Sequence, residues 1–366
     1  MKRIMIVMGT RPEAIKLCPP VRELKKRGKF EVTVVSTGQH RAMLDSALAA
    51  FSIKPDFDMN VMKAGLGTSG MTARILRETD GLLQAKRPDL LMVQGDTTSA
   101  FAASLAAFHR EIPVAHVEAG LRTYHMHSPF PEEFHRQAIS LVTDYHFAPT
   151  VTAKRNLVKE GRSESRIFIT GNTVVDALRI TLTEQKPTVE WNIPSGCRLL
   201  LFTAHRRESI GEPLREMLRA LRRVVESTPD VVAVFPVHPN PAVRRVATEI
   251  LAGTPRIRMI EPPETVSFHH LLSRAYLVMT DSGGIQEEAS ALGIPTVVMR
   301  YSSERTEGMR AGVLKLAGCS EDGIAELAGR LLRPDSEEYI AMRKPSAVYG
   351  DGNASARIAD VLEKAM

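Results

Sequence analysis

Short runs of apolar residues rich in Val, Ile, Leu and Met recur along the chain, and most end in glycine or polar residues. The first half carries RIMIVMG (3–9), FEVTVVST (30–37), DLLMVQGD (89–96), PVAHVEAG (113–120), YHFAPT (145–150) and RIFITG (166–171). The second carries RLLLFTAH (198–205), VVAVFPVH (231–238), RIRMIEP (256–262), YLVMTDSG (276–283), PTVVMR (295–300) and VLKLAG (313–318). Segments of helical period, such as PLREMLRALRRVVEST and QEEASALG, separate most of them. Continuous apolar strands alternating with helices predict the α/β class, with parallel sheets covered on both faces. Two such series predict two Rossmann-like domains, residues 1–170 and 171–350, joined near the polar stretch TEQKPTVEWNIPSG. The terminal segment 351–366 reads as a helix able to dock on either half and is assigned to the first.

Composition narrows the picture. A chain of 366 residues with 43% hydrophobic content is long enough for two cores. No stretch of about 18 apolar residues occurs, which argues against membrane insertion. The run Ile4 to Met8 is shorter than the roughly 7–15 residues of a signal peptide, so it reads as a first strand in a cytoplasmic protein. Cys18, Cys197 and Cys319 are scattered, without a CxxC pair, and read as structural thiols. The net charge of +6 is dispersed along helical segments, with no basic tail and only 5% aromatics. That argues against nucleic acid and suits an anionic small-molecule substrate.

The strand ends carry the candidate chemistry: Gly9-Thr10-Arg11, Gly38-Gln39-His40, Gly95-Asp96-Thr97, Glu118, His205, His238 and Asp281-Ser282-Gly283-Gly284. Ligands of open parallel sheets bind at such ends, so seven of them predict a cleft between two facing domains. TDSGGIQEE (280–288) combines a strand end, two glycines and a helix expected near Ile285. Ser282, Gly283 and Gly284 suit a phosphate and Glu288 suits ribose hydroxyls, against the plainer reading of an N-cap from Asp281 or Ser282. GTRPEAIK (9–16) repeats the layout with Arg11 and Lys16 as anion partners. HRRES puts His205 at a strand end followed by Arg206 and Arg207, a cluster that suits a departing phosphate with one arginine left as a salt-bridge partner. His238 stands in a Pro-bounded turn that is either functional or structural. GLGTSG (65–70) matches a dinucleotide fingerprint only formally, because no convincing strand precedes it; it reads as a glycine-rich loop.

Residues 116–136 gather acids and histidines in one stretch. His125 and His127 lack further defined ligands, so a metal is not expected. Pro131 reads as the first position of a helix opened by Glu132 and Glu133, whose side chains diverge by about 100°. Only one of the pair can therefore face a given site squarely, and Glu133 reads as a solvated surface residue. Asp96 is either the cap of the following helix or a catalytic group.

Taken in order, GTRPEAIK, QGDTT, HVEAGLRT, PFPEE, GNTVVDAL, HRRES, FPVHPNP and TDSGGIQEE resemble the bacterial non-hydrolysing UDP-N-acetylglucosamine 2-epimerase family from residue 9 to about residue 318. The resemblance implies a GT-B-like fold and a homodimer that uses no cofactor. It also implies interconversion of UDP-GlcNAc and UDP-ManNAc through UDP and 2-acetamidoglucal. By motif position it assigns Asp96, Glu118, Glu132 and His205 to catalysis. Arg11, Ser282, Gly283 and Gly284 go to the phosphates, Glu288 to ribose and Phe268 to uracil. Lys16, Arg206 and His238 are also taken as substrate-binding, with pairing to an acid the alternative for Lys16. The sequence departs from the family pattern at His135 (usually Asn), Ala204 (usually Gly) and Thr306 (usually Pro). Of the residues linked in some members to a second, activating UDP-GlcNAc, Gln39, Arg206 and His238 match, but Ala42 and the Gly65–Gly70 loop depart and argue against such a site.

Overall fold

The computed structural model describes residues 1–39, 41–62, 65–204, 206 and 209–366. The chain divides into two compact units, Met1–Ile180 with Gly350–Met366, and Thr181–Tyr349.

The first unit opens with β1 (Lys2–Met8), α1 (Arg11–Arg27), β2 (Phe30–Ser36), α2 (Arg41–Ala50), β3 (Phe57–Asp58) and α3 (Thr68–Lys86). It continues through β4 (Leu90–Gln94), α4 (Thr98–His109), β5 (Val114–Val117), α5 (Glu132–Val142), β6 (Tyr145–Ala148), α6 (Val151–Lys159), β7 (Ile167–Ile169) and α7 (Thr173–Glu184). Its seven parallel strands lie in the order β3-β2-β1-β4-β5-β6-β7. Met5, Val7, Leu91 and Val93 bury one face of the sheet against the small residues Ala100, Ala103 and Ala107 of α4, which lets the helix backbone lie close.

The second unit runs β8 (Arg198–Thr203), α8 (Glu212–Ser227), β9 (Val231–Pro236), α9 (Pro241–Leu251), β10 (Ile257–Ile260), α10 (Thr265–Ser273), β11 (Leu277–Thr280) and α11 (Gly283–Leu292). It ends with β12 (Thr296–Val298), α12 (Thr306–Arg310), β13 (Leu314–Leu316), α13 (Glu321–Leu331) and α14 (Glu337–Met342). Its six parallel strands take the order β10-β9-β8-β11-β12-β13. The last helix, α15 (Ala354–Ala365), belongs to the first unit, where Arg27 of α1 bonds Asp360 (2.6 Å) and the Ala356 carbonyl (3.1 Å).

Both sheets reverse their order beside their own first strand, between β1 and β4 and between β8 and β11. At such a switch point the connecting loops leave in opposite directions and open a crevice at the carboxyl ends of the strands. The sequence expectation of twelve strands misses β3, which is only two residues long. GLGTSG is not simply a loop, since Thr68 to Gly70 form the first turn of α3 with Gly67 as its cap. Likewise α11 begins at Gly283, two residues ahead of the expected start, and Pro131 is the cap of α5 rather than its first residue.

Candidate functional site

At the switch point of the first unit, the loop after β4 turns through Gly95 (φ 72°) into Asp96. Arg136 of α5 donates to Asp96 Oδ2 through Nε (3.0 Å) and Nη2. His135 Nδ1–H donates to the Asp96 carbonyl (2.9 Å), and its ring stacks on Phe101. The cap of α4 is Thr97, which accepts from Ala100 N–H, so Asp96 is released from the capping role. On the neighbouring strand, Gly95 N–H bonds the Val117 carbonyl, which brings the Asp96 loop beside Glu118. Glu118 adopts a left-handed backbone (φ 64°), unusual for a residue with a side chain. Its carboxylate is buried and accepts from Lys16 Nζ and from Asn172 Nδ2 (3.0 Å). Lys16 is thus engaged with an acid of the site. Glu132, partly exposed at the start of α5, lies four residues before Arg136 and hence on the same helix face.

Glu133 is not a surface residue. It is fully buried and accepts from the backbone N–H groups of Thr123 and Tyr124 (3.0 Å each) and from Gln137 (2.8 Å). The segment that leaves β5 needs an acceptor for these amides, and the first turn of α5 provides one. His125 and His127 are exposed, and no group of three or more His, Cys, Asp or Glu among the described residues could hold a metal ion.

Sequence reasoning missed Glu13. This fully buried carboxylate ties the two strands of the switch point together. It accepts from Gly9 N–H (3.1 Å) and Thr10 Oγ1 (2.8 Å) after β1, and from Thr97 Oγ1 (2.8 Å) after β4. Burial pushes its carboxyl up to about 7, against the downward pull of these hydrogen bonds. Behind it, His116 Nε2–H donates to the Gly95 carbonyl (2.7 Å), and burial pushes its imidazole down to about 4, so the ring is neutral. Arg136 and Asn172 were likewise missed, although both lie inside or beside motifs singled out above.

In the second unit, β8 and β11 end side by side, with the Thr203 and Thr280 hydroxyls 2.6 Å apart. Asp281 is fully buried and accepts from Arg206 N–H (3.0 Å) and Ser209 Oγ (3.1 Å), so it does not cap α11. Ser282 occupies the N-cap position but makes no side-chain capping bond. Backbone N–H groups at such a helix start form an anion-binding cradle. The Arg305 guanidinium packs over Gly283, where a Cβ would overlap it, and bonds Glu287 (2.9 Å) one turn into the helix. Burial alone would raise Glu304, but Arg305, Arg300 and Arg206 around it hold its carboxyl well below the usual range. Arg206 Nη2 lies 3.5 Å from that carboxylate. His238 Nδ1 accepts from Asn240 N–H (3.2 Å) in the turn after β9. Phe268 is buried among Leu199, Leu201, Val234 and Ile285. His205, together with Arg207 of the same motif, lies outside the described residues.

The sequence family described as UDP-N-acetylglucosamine 2-epimerase matches residues 22–363 of this chain. The chain belongs to the UDP-N-acetylglucosamine 2-epimerase family, whose members are isomerases. The UDP-N-acetylglucosamine 2-epimerase of Bacillus subtilis (strain 168) is 48% identical over 360 residues, covering 98% of this chain and 94% of the relative. The crystal structure of UDP-GlcNAc 2-epimerase from Neisseria meningitidis bound to UDP-GlcNAc is 40% identical, with a TM-score of 0.94 over 99% of this chain and 100% of that one. At the level of fold alone, the glycotransferase of kitacinnamycin is 15% identical, with a TM-score of 0.65 over 99% of this chain and 98% of its own. The two Rossmann-like parallel sheets thus form a GT-B-like pair of α/β units.

Proposed function

We propose that the chain interconverts UDP-GlcNAc and UDP-ManNAc without hydrolysis, by eliminating and re-adding UDP, and that it acts as a homodimer. The C2 proton of the sugar is not alpha to a carbonyl, so direct removal is unrealistic. Breaking the C1–O bond toward UDP builds positive charge at C1 and acidifies that proton. A carboxylate takes the proton, the C2–H electron pair becomes the C1–C2 double bond, and the C1–O pair leaves with UDP. The products of this half are 2-acetamidoglucal and UDP. Re-addition of the UDP oxygen at C1, with protonation on the other face of C2, completes the inversion.

Such a route needs acids for both faces and a cradle for the leaving diphosphate. The observation that carries the reading is the pairing of Asp96 and Glu118 on neighbouring strand ends, beside the α5 face that bears Glu132. The uncapped start of α11, with Ser282, Gly283 and Gly284, is assigned to the diphosphate, with Arg206, His205 and His238 as further anion partners of the second unit; Arg11 is assigned separately as an anion partner of the first. The substrate bound by the Neisseria relative supports the choice of sugar.

Proton NMR of the protein incubated with UDP-GlcNAc tests the overall reaction. UDP-ManNAc is expected, with the same mixture reached from either epimer. Stoichiometric release of free N-acetylmannosamine would overturn the non-hydrolysing route, and unchanged UDP-GlcNAc would overturn the substrate.

A further inference from the structure

Glu288 lies on α11, five residues beyond Gly283, about 7.5 Å along the helix axis from the anion-binding start. It is 6% exposed, and its partner among the described residues is His269, whose Nε2 faces Glu288 Oε1 at 3.5 Å. The other ring nitrogen of His269, Nδ1, is paired with Thr181 Oγ1 at 2.7 Å. Thr181 and His269 are buried as deeply as the core, at 0% and 1% exposure. The second carboxylate oxygen, Oε2, is buried and has no hydrogen-bond partner among the described residues. A buried carboxylate oxygen left without a donor is costly, and such an atom points to a ligand that supplies one.

We infer that His269 is a positioning and specificity residue. Held by Thr181, it engages one oxygen of Glu288 and leaves the other as the acceptor for the hydroxyls of a ribonucleotide's sugar. The inference deepens the nucleotide reading above and rests on it. A hydroxyl bearing its own hydrogen satisfies Oε2, whereas a deoxy sugar leaves it desolvated and unpaired. The site therefore discriminates on the ligand's hydroxyls more than on its apolar surface.

Titration calorimetry with UDP and with 2′,3′-dideoxy-UDP reads this directly as a ratio of dissociation constants. The wild type is expected to prefer UDP by about 30-fold, the range of a hydrogen bond to a charged group. His269→Asn keeps an amide against Thr181 but no longer reaches Glu288, and its ratio should collapse toward about 3-fold. His269→Gln places an amide donor near the former Nε2 and should hold the ratio near wild type. Thr181→Val leaves the ring but frees it, and should lower the ratio several-fold, which serves equally if His269→Asn does not fold. A wild-type ratio in either His269→Asn or Thr181→Val overturns the inference. Equal binding of both nucleotides by the wild type overturns it too while leaving the nucleotide reading intact. Binding of neither nucleotide removes both.

Discussion

Among single residues, Glu13 has the most measurable consequences. A carboxyl buried at the junction of β1 and β4, raised from 4.5 to about 7, holds in the folded state a proton that the unfolded chain has already released. Its contribution to stability is fully present below about pH 4.5 and is lost as pH rises through 7, amounting to about 3 kcal/mol across that window. Glu13→Gln cannot titrate. Between pH 5 and pH 8, urea unfolding should therefore cost the wild type about 2–3 kcal/mol more stability than the variant. Parallel pH curves for the two proteins would contradict this. The motif GTRPEAIK signals a strand-to-helix turn, and Arg11 and Lys16 stand out in it by charge. Glu13 does not stand out, because its importance comes from a hydroxyl 84 residues away, on Thr97. Glu118 is legible as a strand-end acid, but its left-handed backbone is not, since that conformation leaves no signature in a non-glycine residue. Backbone of this kind in the middle of a candidate site fits a held, pre-set carboxylate.

The start of helix α11 joins sequence to chemistry more directly. Two glycines after a buried strand predict close approach, and at Gly283 the approaching group is the Arg305 guanidinium. Gly283→Ala forces that guanidinium away from Glu287 and Glu304 and should destabilise the second unit by about 2 kcal/mol, as overpacking does. It should also weaken UDP binding, measured by calorimetry alongside urea unfolding. A variant with wild-type stability and affinity would contradict the packing argument. Helix α5 shows where periodicity misleads. Glu132 and Glu133 diverge as expected, but both directions are used. One faces the Arg136 side of the helix, and the other closes the loop that returns from β5. Nothing local in PFPEE marks Glu133 for burial, because its partners are backbone amides of a loop without period.

Across the whole chain, the alternation of apolar strands and amphipathic helices makes two parallel sheets legible. The division point is less legible. The contacts divide the chain between Ile180 and Thr181, inside α7, so no loop or linker marks it. The docking of α15 depends on distant partners as well. Asp176 of α7 accepts from the Ala354 and Ser355 N–H groups (3.2 and 2.8 Å) and caps the helix from outside its own sequence. Asp176→Ala should cost the first unit about 1–2 kcal/mol in thermal unfolding, the range of a lost helix cap. An unchanged transition would contradict that role.

The central claim, inversion at C2 through loss and return of its proton, is tested most directly by running the reaction in D₂O and following C2 by NMR. The account predicts UDP-ManNAc that carries deuterium at C2 from its first appearance. UDP-ManNAc formed with protium retained at C2 would contradict it.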